Sequence, residues 1–174
     1  MARIPYVESE NAHWLTREIL ARRNNRNIHR MLGHSGPLAD AFVRLATTLR
    51  YESELDPALR EIAILRVGMI SGATYEVHQH KRVARKAGLA PEKIAALTEP
   101  GSDLNVFDER ERFVIQFTDQ VVHHVKVNDQ MFAQAQSLFG ERQLAELVLT
   151  IGFYMMVSRF LENYEVDIEP GTID

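Results

Sequence analysis

The sequence predicts an all-α protein, a helical bundle in two weakly related halves, and three observations carry that prediction. Apolar residues recur at helical spacing along most of the chain. Proline and glycine punctuate the periodic segments where helices start and stop, as at Gly36-Pro37, Asp56-Pro57 and Gly88. No pair of alternating β-branched runs with a hairpin turn between them stands anywhere in the chain.

The elements follow in order. "SENAHWLTREILARRN" (9–24) is a predicted helix with Ser9 as N-cap and Trp14, Leu15, Ile19 and Leu20 at a helical period. "NRNIHRMLGHSG" (25–36) is a broken segment of one or two helical turns. Pro37 then opens "PLADAFVRLATTLRY", with Leu38, Ala41, Phe42, Leu45, Ala46 and Leu49 on one stripe. "PALREIAILRVGMISG" (57–72) is apolar nearly all round, so it is central and buried on most sides. "TYEVHQHKRVARKAG" (74–88) is amphipathic and ends at Gly88, a good residue just past a helix end. "APEKIAALTEPG" is a short helix with a Pro-Gly stop. Asp108 opens the next helix, where Phe113, Phe117, Val121 and His124 share a face. "NDQMFAQAQSLFG" and "ERQLAELVLTIGFYMMVSRFLENY" (141–164) complete the set, and the tail "EVDIEPGTID" reads as extended, with a neighbour to pack on.

A faint echo links "LREIAILRVG" (59–68) with "LAELVLTIG" (144–152), each a glutamate leading an apolar helix to a glycine. It divides a single domain, 1–174, into an N-terminal helical extension (1–36), a motif-bearing half (37–97) and a second half (107–164).

Composition excludes several classes of function. At 174 residues, 45% of them hydrophobic, the chain has material for a core. Its net charge of −4 gives no general attraction to phosphate backbones. The basic stretches "ARRNNR" (21–26) and "HKRVARK" (80–86) read as solvated helix faces, so no nucleic-acid partner is expected. There is no cysteine, which rules out disulfides, thiolate metal sites and thiol peroxidase chemistry. The N-terminal stretch has no apolar signal region, and "LVLTIGFYMMV" (147–157) is too short to span a bilayer. The expectation is a soluble, cytoplasmic protein without a membrane partner. The nearly all-apolar faces of 57–72 and 144–157 exceed what so short a chain can cover, which predicts a homo-oligomer.

The groups that could carry chemistry gather around "SGATYEVHQH" (71–80). Glu61 sits on the apolar helix, where an unpaired carboxylate is costly. It is either ion-paired with an arginine of a neighbouring helix or part of a proton relay. Glu76 and His80 are four residues apart and face the same way on a helix. They are either a surface pair or a carboxylate orienting an imidazole that titrates near neutral pH. A metal reading of Glu61, Glu76 and His80 lacks ligands: the spacing is Glu-x-x-x-His and the second half offers no matching histidine. No metal or other cofactor is therefore expected. Glu146 reads as structural, paired with Arg159 or across an interface. Of His123 and His124, one reads as solvated and one as packed, while His34 in "GHSG" reads as lining a pocket mouth.

The stretch "LDPALREIAILRVGMISGATYEVHQHKRVARKAGLAPEKIAAL" (55–97) resembles the carboxymuconolactone decarboxylase family, within the alkylhydroperoxidase D-like superfamily. The resemblance runs through Leu55, Pro57, Arg60-Glu61, Tyr75-Glu76, His80, Ala84, Gly88-Leu89 and "PEKIAAL", and more loosely over about residues 25–168. It implies the alkylhydroperoxidase D-like helical fold and self-association as a homo-trimer or hexamer, assembly from dimers being one option. In the peroxidase branch a glutamate, a Cys-x-x-Cys pair and a histidine form a proton relay. Here the glutamate and histidine fall on Glu61 and His80, while the cysteine positions hold Ala73 and Glu76. The resemblance therefore implies decarboxylase-type chemistry on a small cyclic acid or lactone, and no peroxidase. On that reading His80 donates a proton, Glu76 orients it and Glu61 extends the relay. Tyr75 donates to the developing oxyanion, and Arg66 or Arg82 holds the substrate carboxylate. A non-catalytic oligomeric scaffold of the same fold is the alternative.

Overall fold

The computed structural model describes residues 1–99, 101 and 103–170. The described residues form eight α-helices, α1 (Trp14–Arg22), α2 (Asn27–Leu32), α3 (Pro37–Tyr51), α4 (Pro57–Ile70), α5 (Thr74–Lys86), α6 (Pro91–Thr98), α7 (Glu109–His124) and α8 (Asp129–Tyr164). Short 3-10 turns lie at Ser9–Asn11, Gly33–Ser35 and Leu104–Val106, and no strand occurs among the described residues. Gly140 interrupts α8 with φ 67° and ψ 179°, so the two segments read separately from the sequence meet at a break. Pro100 of the expected Pro-Gly stop and residues 171–174 of the expected tail lie outside the described residues.

Two compact units result. The first holds Met1–Glu52 and the described residues from Phe160 on; the second is Ser53–Arg159. In the first, Ile19, Leu32 and Ala39 form a small core, flanked by Ile28, Phe42, Val43 and Phe160. The described tail packs on the N-terminal segment of its own unit. Asp167 accepts from the Ala2 amide at 3.0 Å, Tyr6 Oη donates to it at 3.1 Å, and Glu169 accepts from the Asn27 amide at 2.7 Å.

Several expectations change here. Ser9 sits in a separate 3-10 turn, and His13 caps α1 by accepting from the Leu15 amide. Trp14 is 58% exposed, because α1 buries the side that carries Thr16, Ile19 and Leu20. On α3 the chain buries Ala39 and Leu49 and leaves Leu38 and Leu45 in solvent. Apolarity alone picked a stripe offset from the face that meets α1.

The second unit is built around α4. Asp56 caps it, accepting from the Ala58 and Leu59 amides at 2.8 and 3.1 Å, with Pro57 in the first turn. Nine consecutive or near-consecutive residues of α4, Leu59 to Leu65 with Val67 and Gly68, are buried. The helix packs on α5, α6 and α7, which accounts for apolar residues on every side. The α4–α5 connection uses two glycines differently. Gly72 takes φ 65° in open space and turns the chain, while Gly68 lies in the contact itself. A Cβ at Gly68 would stand 3.0 Å from Val77 Cγ2. The close crossing of α4 and α5 is therefore made at Gly68.

α7 begins with a reciprocal capping box between Asp108 and Glu111. Phe113 and Phe117 are buried as expected, whereas His123 and His124 are both exposed. α8 as a whole is longer than the apolar run suggested. An 18-residue window of it reaches a mean hydropathy of 1.6, enough by length and composition to cross a membrane, but half of that window is buried inside the protein.

Candidate functional site

Residue 61 falls one turn into α4, and Glu76 and His80 fall in successive turns of α5. The tight α4–α5 hairpin brings them together. His80 Nδ1 donates to Glu61 Oε2 at 2.6 Å, and His80 Nε2 lies 2.9 Å from Glu76 Oε1. The side chains of Glu61, Glu76 and His80 are 0%, 5% and 7% exposed, so the ion cluster is almost fully desolvated. Both imidazole nitrogens face carboxylate oxygens, which is the arrangement of an imidazolium donating twice.

The electrostatics follow. Burial, the largest single effect, would lower the pKa of His80, but Glu61 and Glu76 outweigh it and push the group from 6.5 up to about 9. His29 shows burial prevailing: desolvation, then Arg23 and Arg26, lower it to about 4 against a weaker upward pull from Glu169. His80 is thus a charged acid at neutral pH rather than a base.

One atom of the cluster lacks a partner among the described residues. Glu61 Oε1 is buried and accepts no hydrogen bond from them. Leaving a buried acceptor unmet costs about 1–3 kcal/mol, and a donor placed there by a small molecule would recover it. An aromatic wall completes the site. The Tyr154 ring stands 5.0 Å from the imidazole at 82°, and Tyr154 is itself buried. The perpendicular ring limits rotation of His80 out of the plane of its two hydrogen bonds. From the sequence, Tyr154 belonged to the apolar stretch 144–157, a core or subunit-interface stripe with no sign of a site. Its place beside His80 depends on α8 crossing α5, which no local pattern encodes.

The other sequence candidates are distributed elsewhere. Tyr75 is buried in the same turn as Glu76. Arg66 is not available to clamp a substrate: its Nε and Nη2 donate to the two oxygens of Asp119 at 2.6 and 2.8 Å. That fork holds the Arg66 pKa above its ordinary value, burial working against it. Arg82 is exposed and two residues from His80, hence on the far side of α5. His34 is exposed in the first unit and bonded to the Pro5 carbonyl at 2.8 Å, so it does not line a pocket mouth of either cleft described below. Glu61 pairs with His80 and not with an arginine, while Arg60 turns to Ser53 Oγ and the Leu55 carbonyl. Glu146 takes the Leu55 amide and Arg142, whereas Arg159 bonds the Met155 carbonyl.

Two clefts, of about 390 and 300 Å³, lie between α1 and α3 and at the α7–α8 elbow. Neither is lined by Glu61, Glu76 or His80. Among the described residues no group of three histidine, aspartate or glutamate side chains is arranged to hold a metal ion.

Fold and cluster together make an all-helical protein with a buried Glu–His–Glu cluster at the α4–α5 hairpin. Residues 36–118 match the carboxymuconolactone decarboxylase family, which bears out the resemblance carried by the motif of 55–97. Among solved structures, the chain is similar to the alkylhydroperoxidase AhpD core of an uncharacterized peroxidase-related protein from Ralstonia eutropha JMP134. The TM-score is 0.82 at 17% identity, over 97% of this chain and 93% of that one. A peroxidase-related protein from Silicibacter sp. TM1040 is similar over 77% of this chain and 71% of that one, with a TM-score of 0.70 at 19% identity. A putative antioxidant defence protein AhpD from Agrobacterium tumefaciens has the same TM-score and identity, over 78% of this chain and 94% of that one. No curated protein matches the sequence. At these identities the structural likeness establishes the fold.

Proposed function

We propose that the chain is a cofactor-free lyase or isomerase that acts on a small cyclic acid or lactone by proton transfer through Glu61, Glu76 and His80. One observation carries the reading: a buried imidazole charged at neutral pH lies next to a carboxylate oxygen, Glu61 Oε1, that has no donor. A substrate donor at that oxygen would sit one atom from the proton source. Loss of carbon dioxide from a lactone acid leaves a carbanion delocalised into the ring carbonyl. His80 delivers the proton to carbon and regains it from solvent by way of Glu76, the more exposed carboxylate. Tyr75 serves as donor to the oxyanion. The substrate carboxylate must be held by a group other than Arg66, which is committed to Asp119. The neighbours' names point to peroxidases, but a chain with no cysteine has no thiol to oxidise.

The homo-oligomer belongs to the same proposal. Leu149 and Met156 are 59% and 47% exposed along one side of α8, with Gly152 between them. A second copy on that face would cover them. The alternative is an oligomeric scaffold of the same fold without chemistry.

The test is a screen of small lactones and cyclic carboxylic acids for carbon dioxide release or ultraviolet change, repeated with His80→Gln and Glu61→Gln and with melting measured in parallel. Proton transfer through His80 predicts a loss of about a hundredfold or more in a folded His80→Gln protein. Turnover that survives that substitution rejects the relay. If no acid or lactone is bound or turned over, the scaffold reading stands.

A further inference from the structure

Val125 closes α7 in a backbone conformation that valine rarely adopts. Its φ is 65° and its ψ −39°, and the Lys126 amide donates across it to the His124 carbonyl at 2.7 Å. A bond between residues two apart, around a positive-φ centre, is the strained form of γ-turn. A β-branched residue is disfavoured there. Nor does packing hold it, since Val125 is 88% exposed. Neither backbone ease nor core burial accounts for a valine here, and strain kept in an ordered segment points to a use.

The elbow frames a cleft of about 300 Å³. Six of the residues lining it are apolar: Phe117, Val121, Val125, Val127, Phe132 and Val148. Phe117 is fully buried at its base, while Phe132 and Val148 are 49% and 40% exposed at its sides. The two charged lining residues are Lys126 and Asp129. Lys126 has no side-chain partner among the described residues. Asp129 begins α8, where the helix dipole offsets its charge. The cleft offers apolar contact and, at Lys126, a place for one anionic group. Its size is at the small end of the range for small-molecule sites.

We propose that the α7–α8 elbow is a binding site for a short apolar monoanion, such as a medium-chain carboxylate, with its tail on Phe117, Phe132 and Val148 and its charge at Lys126. Val125 is the lip of the site. Its strained turn keeps a branched apolar side chain at the mouth, where glycine would relax the backbone and remove the contact. This site is separate from the Glu61–His80–Glu76 cluster, and its occupancy does not depend on what that cluster does.

Octanoate and 1-octanol, which share a tail and differ in charge, are the probes. Each is titrated into the full chain while backbone amide resonances are followed. Octanoate is expected to saturate and to shift signals of residues 121–132 and 148, with 1-octanol binding more weakly at the same place. Lys126→Gln should weaken octanoate several-fold and leave 1-octanol unchanged. Val148→Asp, at a half-exposed position, should abolish both without lowering the melting temperature. Absence of saturable binding, or shifts centred elsewhere, overturns the proposal. So does an octanoate affinity indifferent to Lys126→Gln. If light scattering shows an oligomer that Val148→Asp dissociates, a second copy covers this face and the ligand site is rejected. None of these readouts uses turnover, so failure here leaves the proposed function to its own test.

Discussion

Replacing His80 with glutamine should cost stability, and the cost should depend on pH in a defined direction. The sequence put His80 on an amphipathic helix and left open whether it and Glu76 form a mere surface pair. The structure buries it between two carboxylates. Taking away one partner of a buried ion cluster costs about 3–5 kcal/mol near neutral pH, because the remaining charges lose their compensation. The pH dependence has its own magnitude. A pKa of about 9 in the folded state against 6.5 in the unfolded chain corresponds to about 3 kcal/mol of stabilisation. Folded His80 holds its proton more tightly than the unfolded residue. Its contribution is therefore complete below pH 6.5 and is lost as the pH rises through about 9. Urea unfolding of both proteins, at intervals from about pH 6 to about pH 10, measures the difference directly. The gap between wild type and His80→Gln should narrow by about 3 kcal/mol across that range. A gap that stays flat would mean that His80 is not held as an imidazolium, and the general-acid reading would go with it.

Two further outcomes follow from the geometry. Arg66→Ala and Asp119→Ala should each cost about 1–3 kcal/mol for the partly buried fork between them. The double substitution should cost far less than their sum, and strict additivity in urea unfolding would contradict the pairing. Gly152 has a helical backbone and nothing within 4 Å of an added Cβ. Gly152→Ala should therefore stabilise a lone chain by up to about 1 kcal/mol, yet weaken the proposed self-association by pushing helices apart. Light scattering that gives a mass near 19.9 kDa at all micromolar concentrations, or an oligomer unaffected by the substitution, would exclude α8 as the contact.

Much was already decided by the sequence. The helices of the second unit were readable because local signals agree there: Asp56-Pro57 starts α4, Asp108 and Glu111 cap α7, and period and punctuation coincide. The placement of Glu76 and His80 on one face of α5 required only the 3.6-residue turn. The absence of thiol chemistry needed only a count. Burial, partners and charge state were settled by tertiary structure. Arg66 and Glu61 lie on the same helix with similar surroundings in sequence, yet one meets Asp119 and the other His80. Which side of α4 faces α7 and which faces α5 is fixed by packing, with Gly68 admitting Val77 at the crossing. Leu38 and Trp14 looked buried because apolar periodicity reports which side chains could be buried, and a helix buries only the side that another helix covers. Tyr154 shows the same limit from the other direction. Its role beside His80 comes from a contact between residues 74 positions apart, and such a contact leaves no trace in either local pattern.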